Sequence, residues 1–532
     1  MASDYDAIVI GAGHNGLVCG AYLAKAGLKV LLLERRSIIG GAAVTEEFSP
    51  GFRSSTFSYL MSLLHPRVIA ELELRKFGLE ILPATDLFCP IRGGNYIVFS
   101  DDVQKTQREI ARFSKRDAEA YPAFDAYLQE SARIVRKLLF ETPVDPTRRS
   151  WKSFKATASL LWRYRSVGKD SYRLIDLLTQ SAYDYLSAWF ESDAVKVVLA
   201  YYASIGTFAG PKSPGSAYVI LHHVMGEHQG AGGWGFVRGG MGAISESIAS
   251  SGRRFGMRVL TDAPVAEVLV HNGRAAGVRT CDGREFSAPV VVSNASCKTL
   301  FLKLIQAKDL PIEFLEDIRR YRTFSTAFKM NIAADEPPRY AAFDPQRAGF
   351  AYPTYVHVAP DIDYLERAYD DAKYGWYSAN PFVTPVVPTI VDNSLAPPDK
   401  HVVNLFGGHA PYQLKDGDWA TERPRFVRNV LDVLDDVAPG FSSKILDMQV
   451  LLPPDLEEML DLPQGHIFHG ELSADQLFLQ RPVPHYADYR APIGALYQCG
   501  SSCHPGGGVS GIPGHNAARE ILKDWPRMRG RS

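Results

Sequence analysis

The opening of the chain constrains the fold more than anything that follows it. Tyr5-Asp6-Ala7-Ile8-Val9-Ile10 is an apolar run of strand length, Gly11-Ala12-Gly13-His14-Asn15-Gly16 follows at once, and Leu17 to Ala26 reads as a helix closed by Gly27. A second strand-like run, Lys29 to Leu33, ends at Glu34. Strand, GxGxxG, helix, strand and acid at these separations predict a βαβ unit that binds a dinucleotide. Gly11 permits the tight turn, Gly13 lets the backbone approach a pyrophosphate, and Gly16 lets helix and strand pack closely. Ala12, His14 and Asn15 complete that turn, at a helix N-terminus whose free N–H groups and dipole favour phosphate. Glu34 can accept from ribose hydroxyls and would repel a 2′-phosphate.

Three later stretches look made for the same task. Arg35-Arg36-Ser37-Ile38-Ile39-Gly40-Gly41-Ala42-Ala43 places a second glycine pair just past the acid. Gly232 to Gly242, with Gly239-Gly240-Met241 near its end, leads into a helix-like Ala243 to Ser250. Val265 then precedes a hairpin, Ala266 to His271 and Arg274 to Cys281 around Asn272-Gly273, and an apolar strand from Pro289 to Val292 runs into Ser293-Asn294. Near the C-terminus a short strand to Cys499 opens a glycine-rich turn from Gly500 to Val509, followed by a helix from Gly514 to Trp525.

This combination resembles the extended FAD motif of the flavin amine oxidase and phytoene desaturase superfamily. The resemblance implies FAD as cofactor, with Gly40, Gly41 and Ala42 near its ribityl and pyrophosphate region and the backbone at Val265 meeting the adenine. Arg35, Gly240, Met241, Ser293, Gly500, Gly507, Gly508 and Val509 complete the expected cofactor contacts. The implied fold is α/β: a discontinuous Rossmann-type FAD-binding domain from 1–75, 226–298 and 491–532, and an α+β substrate lobe from 76–225 and 299–490. The first insertion reads as helix-rich, in Asp117 to Leu138 and Ser171 to Ala200. The second mixes helix and strand with many prolines.

Other stretches carry the likeness along most of the chain: His222-His223-Val224-Met225-Gly226, Trp234 to Gly242, Leu395-Ala396-Pro397-Pro398, Phe468-His469-Gly470, Asp475-Gln476-Leu477 and Arg481-Pro482-Val483-Pro484. They make it similar to the subgroup called pyridine nucleotide-disulfide oxidoreductase domain-containing protein 2. Disulfide reduction is not expected despite that label. Ala42-Ala43-Val44-Thr45 follows the glycine pair where a cysteine pair would be needed, and no second GxGxxG unit serves a nicotinamide nucleotide.

The expected activity is FAD-dependent oxidoreduction at C–C or C–H bonds, by desaturation or isomerisation, of an apolar, polyene or lipid-like substrate. Amine oxidation and a flavin-binding scaffold with little turnover are the alternatives. No triad or metal cluster is recognisable, which suits chemistry carried by a flavin. His504 is the candidate catalytic side chain, or else a residue that positions its turn. Cys499 and Cys503 read as a redox pair or as small packing residues. His222 and His223, adjacent on a helix, diverge by about 100° and do not easily face one ligand. Tyr201, Tyr202 and Phe208 are expected to line or pack the substrate lobe.

Charge and composition narrow the partners. A formal net charge of -1 gives nothing that attracts nucleic acid. The 6 cysteines are scattered without a CxxC pair, which fits a reducing compartment. A cytoplasmic location is expected, with membrane association or, in a eukaryote, the mitochondrial matrix as variants. One local bias stands out: Arg148, Arg149, Lys152, Lys155, Arg163, Arg165, Lys169 and Arg173 face a lone acid, Asp170. Trp151, Phe154, Ala158, Leu161 and Trp162 fall near helical spacing on one side of that stretch. The pattern suits reversible contact with an anionic membrane surface, or a solvated helix with its apolar stripe packed on the protein. Oligomeric state is not legible.

Overall fold

Side chains alternate across a strand, so a strand buried on both faces must be apolar throughout. In Ala7–Ile10, Ala7 and Val9 enter one core while Ile8 and Ile10 enter another on the opposite side. Val30–Leu33 and Val290–Ser293 split their apolar residues between the same two cores. These three runs are the centre of a parallel sheet in the computed structural model, which describes residues 5–147, 151–165, 168, 171–226 and 233–529. Its five strands lie in the order Leu496–Gln498, Val290–Ser293, Ala7–Ile10, Val30–Leu33 and Arg258–Leu260, all parallel. Three distant stretches of chain thus complete one sheet.

The opening helix, His14–Lys25, packs on one face of this sheet beside Gly242–Arg254 and the C-terminal helix Ile512–Arg529. The other face is covered by an antiparallel meander, Val265–His271, Arg274–Thr280 and Glu285–Ser287, with Phe301 and Phe314 below it. The rest of the chain builds a second centre. A four-stranded antiparallel sheet runs in the order Phe382–Val386, His401–Gly408, Phe328–Ala334, Ile445–Leu451. Against it lies a helical layer that includes Lys115–Leu139, Asp193–Ser204 and Ala217–Val224.

The helix-rich stretch Ser171 to Ala200 forms three helices, Ser171–Thr179, Ala182–Ser187 and Asp193–Ser204. Ser181 caps the second by accepting from the Asp184 N–H at 3.0 Å. The second break is held by buried Asp117, whose two oxygens accept from the Glu191 and Ser192 N–H groups at 2.9 and 2.8 Å. That partner comes from another helix, so local sequence does not announce it. The basic stretch likewise forms two helices, Trp151–Arg163 and Ser171–Thr179. Arg148, Arg149, Lys169, Asp170 and Gly232 lie outside the described residues, as do the side chains of Lys152 and Leu161. Among the described residues, no helix is long and apolar enough to cross a membrane.

Candidate functional site

A cleft of about 260 Å³ opens at the C-terminal ends of the first two strands, where a doubly wound sheet presents its loops. Its floor is bare backbone. A Cβ at Gly16 would lie 2.2 Å from the Gly11 carbonyl oxygen, and one at Gly13 would lie 2.6 Å from Asn294 Nδ2. Gly41, at φ +57°, meets this turn directly: a Cβ there would sit 3.1 Å from Gly13 Cα. The Gly40 N–H donates to the Ala12 carbonyl at 2.9 Å, joining the two glycine turns. At the rim, Glu34 accepts from the Ala12 N–H at 2.7 Å and from the Arg36 N–H at 3.0 Å. These contacts fix the carboxylate and leave it lone pairs for ribose hydroxyls.

Two polar atoms in this cleft, Asn15 Oδ1 and Ser296 Oγ, are buried without a hydrogen-bond partner. Buried polar groups are nearly always satisfied, so a ligand with phosphate and hydroxyl groups accounts for them. Backbone floor, acidic rim and orphaned polar atoms together fit the nucleotide half of FAD. Gly11, Gly13, His14, Asn15, Glu34, Arg35, Gly41, Ala42 and Val265 all line the cleft. Ala12, Gly16, Gly40 and Ser293 stand behind it as packing or hydrogen-bonding support.

Gly240 and Met241 are placed elsewhere. The Met241 N–H donates to Ser55 Oγ and the Gly242 N–H to Thr45 Oγ1, each at 2.9 Å. These donors brace the hairpin of Thr45–Ser49 and Phe52–Ser55, and neither residue lines the cleft. Asn294, named in the sequence only as part of a strand end, and Ser296 and Ser501, not singled out there, do line it. The signal was the polar run after each apolar strand end.

A second cavity, about 160 Å³, continues from the first. The two share His14, Ala42, Leu460, Leu462, His469 and Ser501, so the nucleotide cleft lies directly against an apolar chamber. Phe57, Tyr59, Trp234, Phe328, Phe406 and Phe468 are among its walls, and among the described residues no Asp or Glu side chain lines it. Tyr59 and Phe406 stack at 5.4 Å. Gly508 and Val509 reach this chamber, and the Gly508 carbonyl meets His14 Nε2 at 3.2 Å. Gly500 and Gly507 line neither cavity. A Cβ at Gly507 would sit 2.3 Å from Phe468 Cα, and one at Gly500 2.5 Å from the Asn294 carbonyl, so both serve close backbone approach.

His222 and His223 both line the chamber, with rings 5.3 Å apart and nearly perpendicular. Their 100° divergence does not separate them, because the cavity wraps the last turn of Ala217–Val224. Burial lowers both ring pKa values, that of His223 to about 4, so both are neutral near pH 7. His222 Nε2 and His469 Nδ1 are buried with no partner. Burial also lowers His469, to about 3. Tyr201 and Tyr202 pack behind this wall: Tyr201 stacks on His357 at 3.8 Å and Tyr202 lies 5.7 Å from the His223 ring. Phe208 packs on Phe324 and Tyr369.

Lys329 is the one ammonium-bearing wall residue among the described residues, 3% exposed in a strand that is otherwise uncharged. Its Nζ donates to the Ser55 carbonyl, to the Thr56 carbonyl at 3.2 Å, to Asn331 Oδ1 at 2.6 Å and to Asn404 Oδ1 at 2.9 Å. Burial pushes its pKa well below the ordinary 10.5. A lone cation in an apolar strand was the signal that sequence reading did not use. Arg481, fully buried, donates to the carbonyls of Phe468, Gly470, Glu471, Gln476 and Ser501. It is a positioning residue: it holds the segment carrying Phe468 and His469 against the third glycine-rich turn.

His504 lines neither cavity. Its Nε2 donates to the Leu138 carbonyl at 3.0 Å, at the end of helix Lys115–Leu139, and its own carbonyl accepts from Tyr489 OH at 2.8 Å. One ring nitrogen thus holds the turn, Nδ1 is buried without a partner, and the side chain does not line the chamber. Cys499 and Cys503 are free, buried thiols, and burial raises the pKa of both. Such thiols are poor nucleophiles. A larger cavity, about 680 Å³, lies apart from these two, against the C-terminal helix. Its charges are mutually paired, as in Arg163–Glu141 and Arg490–Glu520.

Comparison with known proteins places this geometry. The family described as flavin containing amine oxidoreductase matches residues 16–522. The chain is 40% identical to the Mus musculus protein called pyridine nucleotide-disulfide oxidoreductase domain-containing protein 2, over 99% of this chain and 95% of that one. It is 26% identical to a limonene dehydrogenase chain of Castellaniella defragrans, over 98% and 94% of the two chains. It is 25% identical to the lycopene-forming phytoene desaturase of Pseudescherichia vulneris, over 95% and 96%. The fold is that of an oxidoreductase from Methanosarcina mazei, at a TM-score of 0.63 and 17% identity, covering 97% of this chain and 100% of that one. With its nucleotide cleft beside an apolar chamber, the chain belongs to the flavin containing amine oxidoreductase family and is an FAD-dependent oxidoreductase of the amine oxidase and phytoene desaturase superfamily.

Proposed function

We propose that this protein oxidises or isomerises C–C bonds of an apolar, unsaturated substrate held in the chamber. One observation carries the reading: the chamber is walled by apolar and aromatic side chains, and among the described residues no Asp or Glu side chain lines it. A protonated amine would meet no counter-charge there, whereas a hydrocarbon loses nothing on entry. Two relatives are named for hydrocarbons, limonene and phytoene, and the likeness to them supports the same class.

Bound FAD supplies the redox chemistry by accepting a hydride equivalent from a substrate C–H bond. The protein supplies the rest. The glycine turns and Glu34 hold the nucleotide half, while the apolar walls exclude water and orient the chain. Desaturation also releases a proton, and the unpartnered, neutral nitrogens His222 Nε2 and His469 Nδ1 are the chamber groups able to take it. Weak bases suffice when the departing proton sits beside developing positive charge.

Amine oxidation is the second reading, favoured by the stacked Tyr59–Phe406 pair in the wall, an aromatic surface suited to a neutral amine. Anaerobic photometry separates the two. Bleaching of the flavin band by terpene or polyene hydrocarbons, and not by primary amines, supports the proposal. Bleaching by amines alone overturns it in favour of amine oxidation, and a band that no compound bleaches favours a scaffold.

A further inference from the structure

We propose that the solvent-facing side of the helix Trp151–Arg163, continued by the start of Ser171–Thr179, is a docking face for an anionic lipid bilayer. Amphipathic helices of folded proteins turn their apolar stripe inward. This one turns it outward. Trp151, Phe154 and Trp162 are 69%, 62% and 67% exposed, and Tyr172 and Ile175 add 69% and 52% just beyond. Trp151, Phe154, Ala158 and Trp162 share one face by their spacing, and the rings of Trp151 and Phe154 stack on each other at 5.4 Å. The opposite side is what anchors the helix. Ser153 Oγ donates to the Asp145 carbonyl at 2.5 Å, Arg163 pairs with Glu141 at 2.6 Å, and Tyr164 OH reaches the Lys137 carbonyl at 3.2 Å. The remaining large exposed apolar residues, such as Leu302, Phe324 and Leu446, come from separate elements along the chain.

Charge decides between occupants. From 148 to 173 the sequence carries eight cations and one acid, in a chain whose net charge is -1. Lys155 Nζ lies 5.5 Å from the Trp151 ring and the Arg165 guanidinium 4.0 Å from the Trp162 ring, so cations rim the aromatic face. A second copy would set cations against cations. A bilayer with anionic headgroups takes both, with rings at the headgroup boundary and cations on phosphate. The helix rests on the end of Lys115–Leu139, and Arg136 of that end donates to the Val224 and Met225 carbonyls, next to His222 and His223.

Co-sedimentation of the FAD-loaded, full-length protein with vesicles tests the proposal, using phosphatidylcholine alone or with about 30% phosphatidylglycerol. Two variants accompany it: Trp151→Ser/Phe154→Ser/Trp162→Ser, and Lys155→Glu/Arg165→Glu. The wild type is expected to pellet with the anionic vesicles at low salt and to be released by salt. Each variant is expected to lose about tenfold or more in partitioning while keeping its flavin. A wild type that stays in the supernatant with anionic vesicles overturns the proposal. So does undiminished binding by both variants, or a dimer in solution that the aromatic variant dissolves. Equal capture by duplex DNA and anionic vesicles overturns it in favour of a nonspecific polyanion surface.

Discussion

The nucleotide cleft and the chamber lie end to end, yet they are built in opposite ways. The cleft floor is backbone: Gly11 is held at φ +90°, a side chain at Gly13 or Gly41 would crowd its neighbours, Gly16 packs closely behind, and Asn15, Glu34 and Ser296 supply the polar side chains. The chamber is walled by side chains drawn from many elements, among them Tyr59, His222, Trp234, Lys329, Phe406 and His469. A backbone-built site tolerates little change in sequence and therefore keeps one ligand. A side-chain-built site can be refitted while the fold stands. This difference explains why the cofactor follows from family membership while the substrate stays a separate question.

If the contrast is sound, changes in the two regions fail differently. Gly13→Glu should abolish flavin binding outright, because its Cβ alone would lie 2.6 Å from Asn294 Nδ2 and its charge would meet phosphate. Purified variant protein with a normal flavin band would refute the backbone-floor account. Arg481→Met should destabilise the chain by about 3–5 kcal/mol in urea titration, since it strips donors from buried carbonyls around the chamber wall.

Acid should act on both regions together. The buried rings of His14, His223 and His504 have pKa values lowered to about 4 from the ordinary 6.5. The folded state therefore binds fewer protons than the unfolded one between those values. Stability that is full above pH 6.5 is lost as the pH falls through about 4, by on the order of 3 kcal/mol per histidine. Urea midpoints at pH 7, 5.5 and 4 check this, and His504→Gln should flatten the curve.

Lys329→Met should keep its FAD but slow flavin reduction by about 10–100-fold, because the Ser55 and Thr56 carbonyls and both asparagines lose their shared donor and the wall relaxes. Loss of FAD instead would mean that cleft and chamber are not separable. Glu34→Gln should be the mildest, weakening FAD about tenfold in an equilibrium titration, since one charged hydrogen bond becomes a neutral one.

The same contrast governs what could be read from the sequence. The cleft was legible because its requirements are local: a glycine every few residues between a strand and a helix has few other uses. Where a glycine-rich run had a different structural partner the reading misplaced it, as with Gly240 and Met241, whose neighbouring hydroxyls on Thr45 and Ser55 lie far away in the chain. His504 drew notice by its position in a flavin-like turn, but its partner, the Leu138 carbonyl, belongs to the helical insertion. Lys329 owes its role to partners such as the Ser55 carbonyl and Asn404, far away in the chain, while Arg481 gathers carbonyls from Phe468 to Ser501 that no short motif encodes. The outward face of Trp151, Phe154 and Trp162 was visible as a pattern, while its direction needed the anchoring bonds on the opposite side.

Most directly at stake is the continuity of cleft and chamber through His14, Ala42, Leu460, Leu462, His469 and Ser501. Titrating the yellow holoprotein with limonene under anaerobic conditions, while recording the flavin band near about 450 nm, tests it in one measurement. A saturable shift or bleaching of that band is the predicted result, because a chamber ligand must touch the flavin environment. A band that stays unchanged while calorimetry shows the hydrocarbon bound would contradict the account.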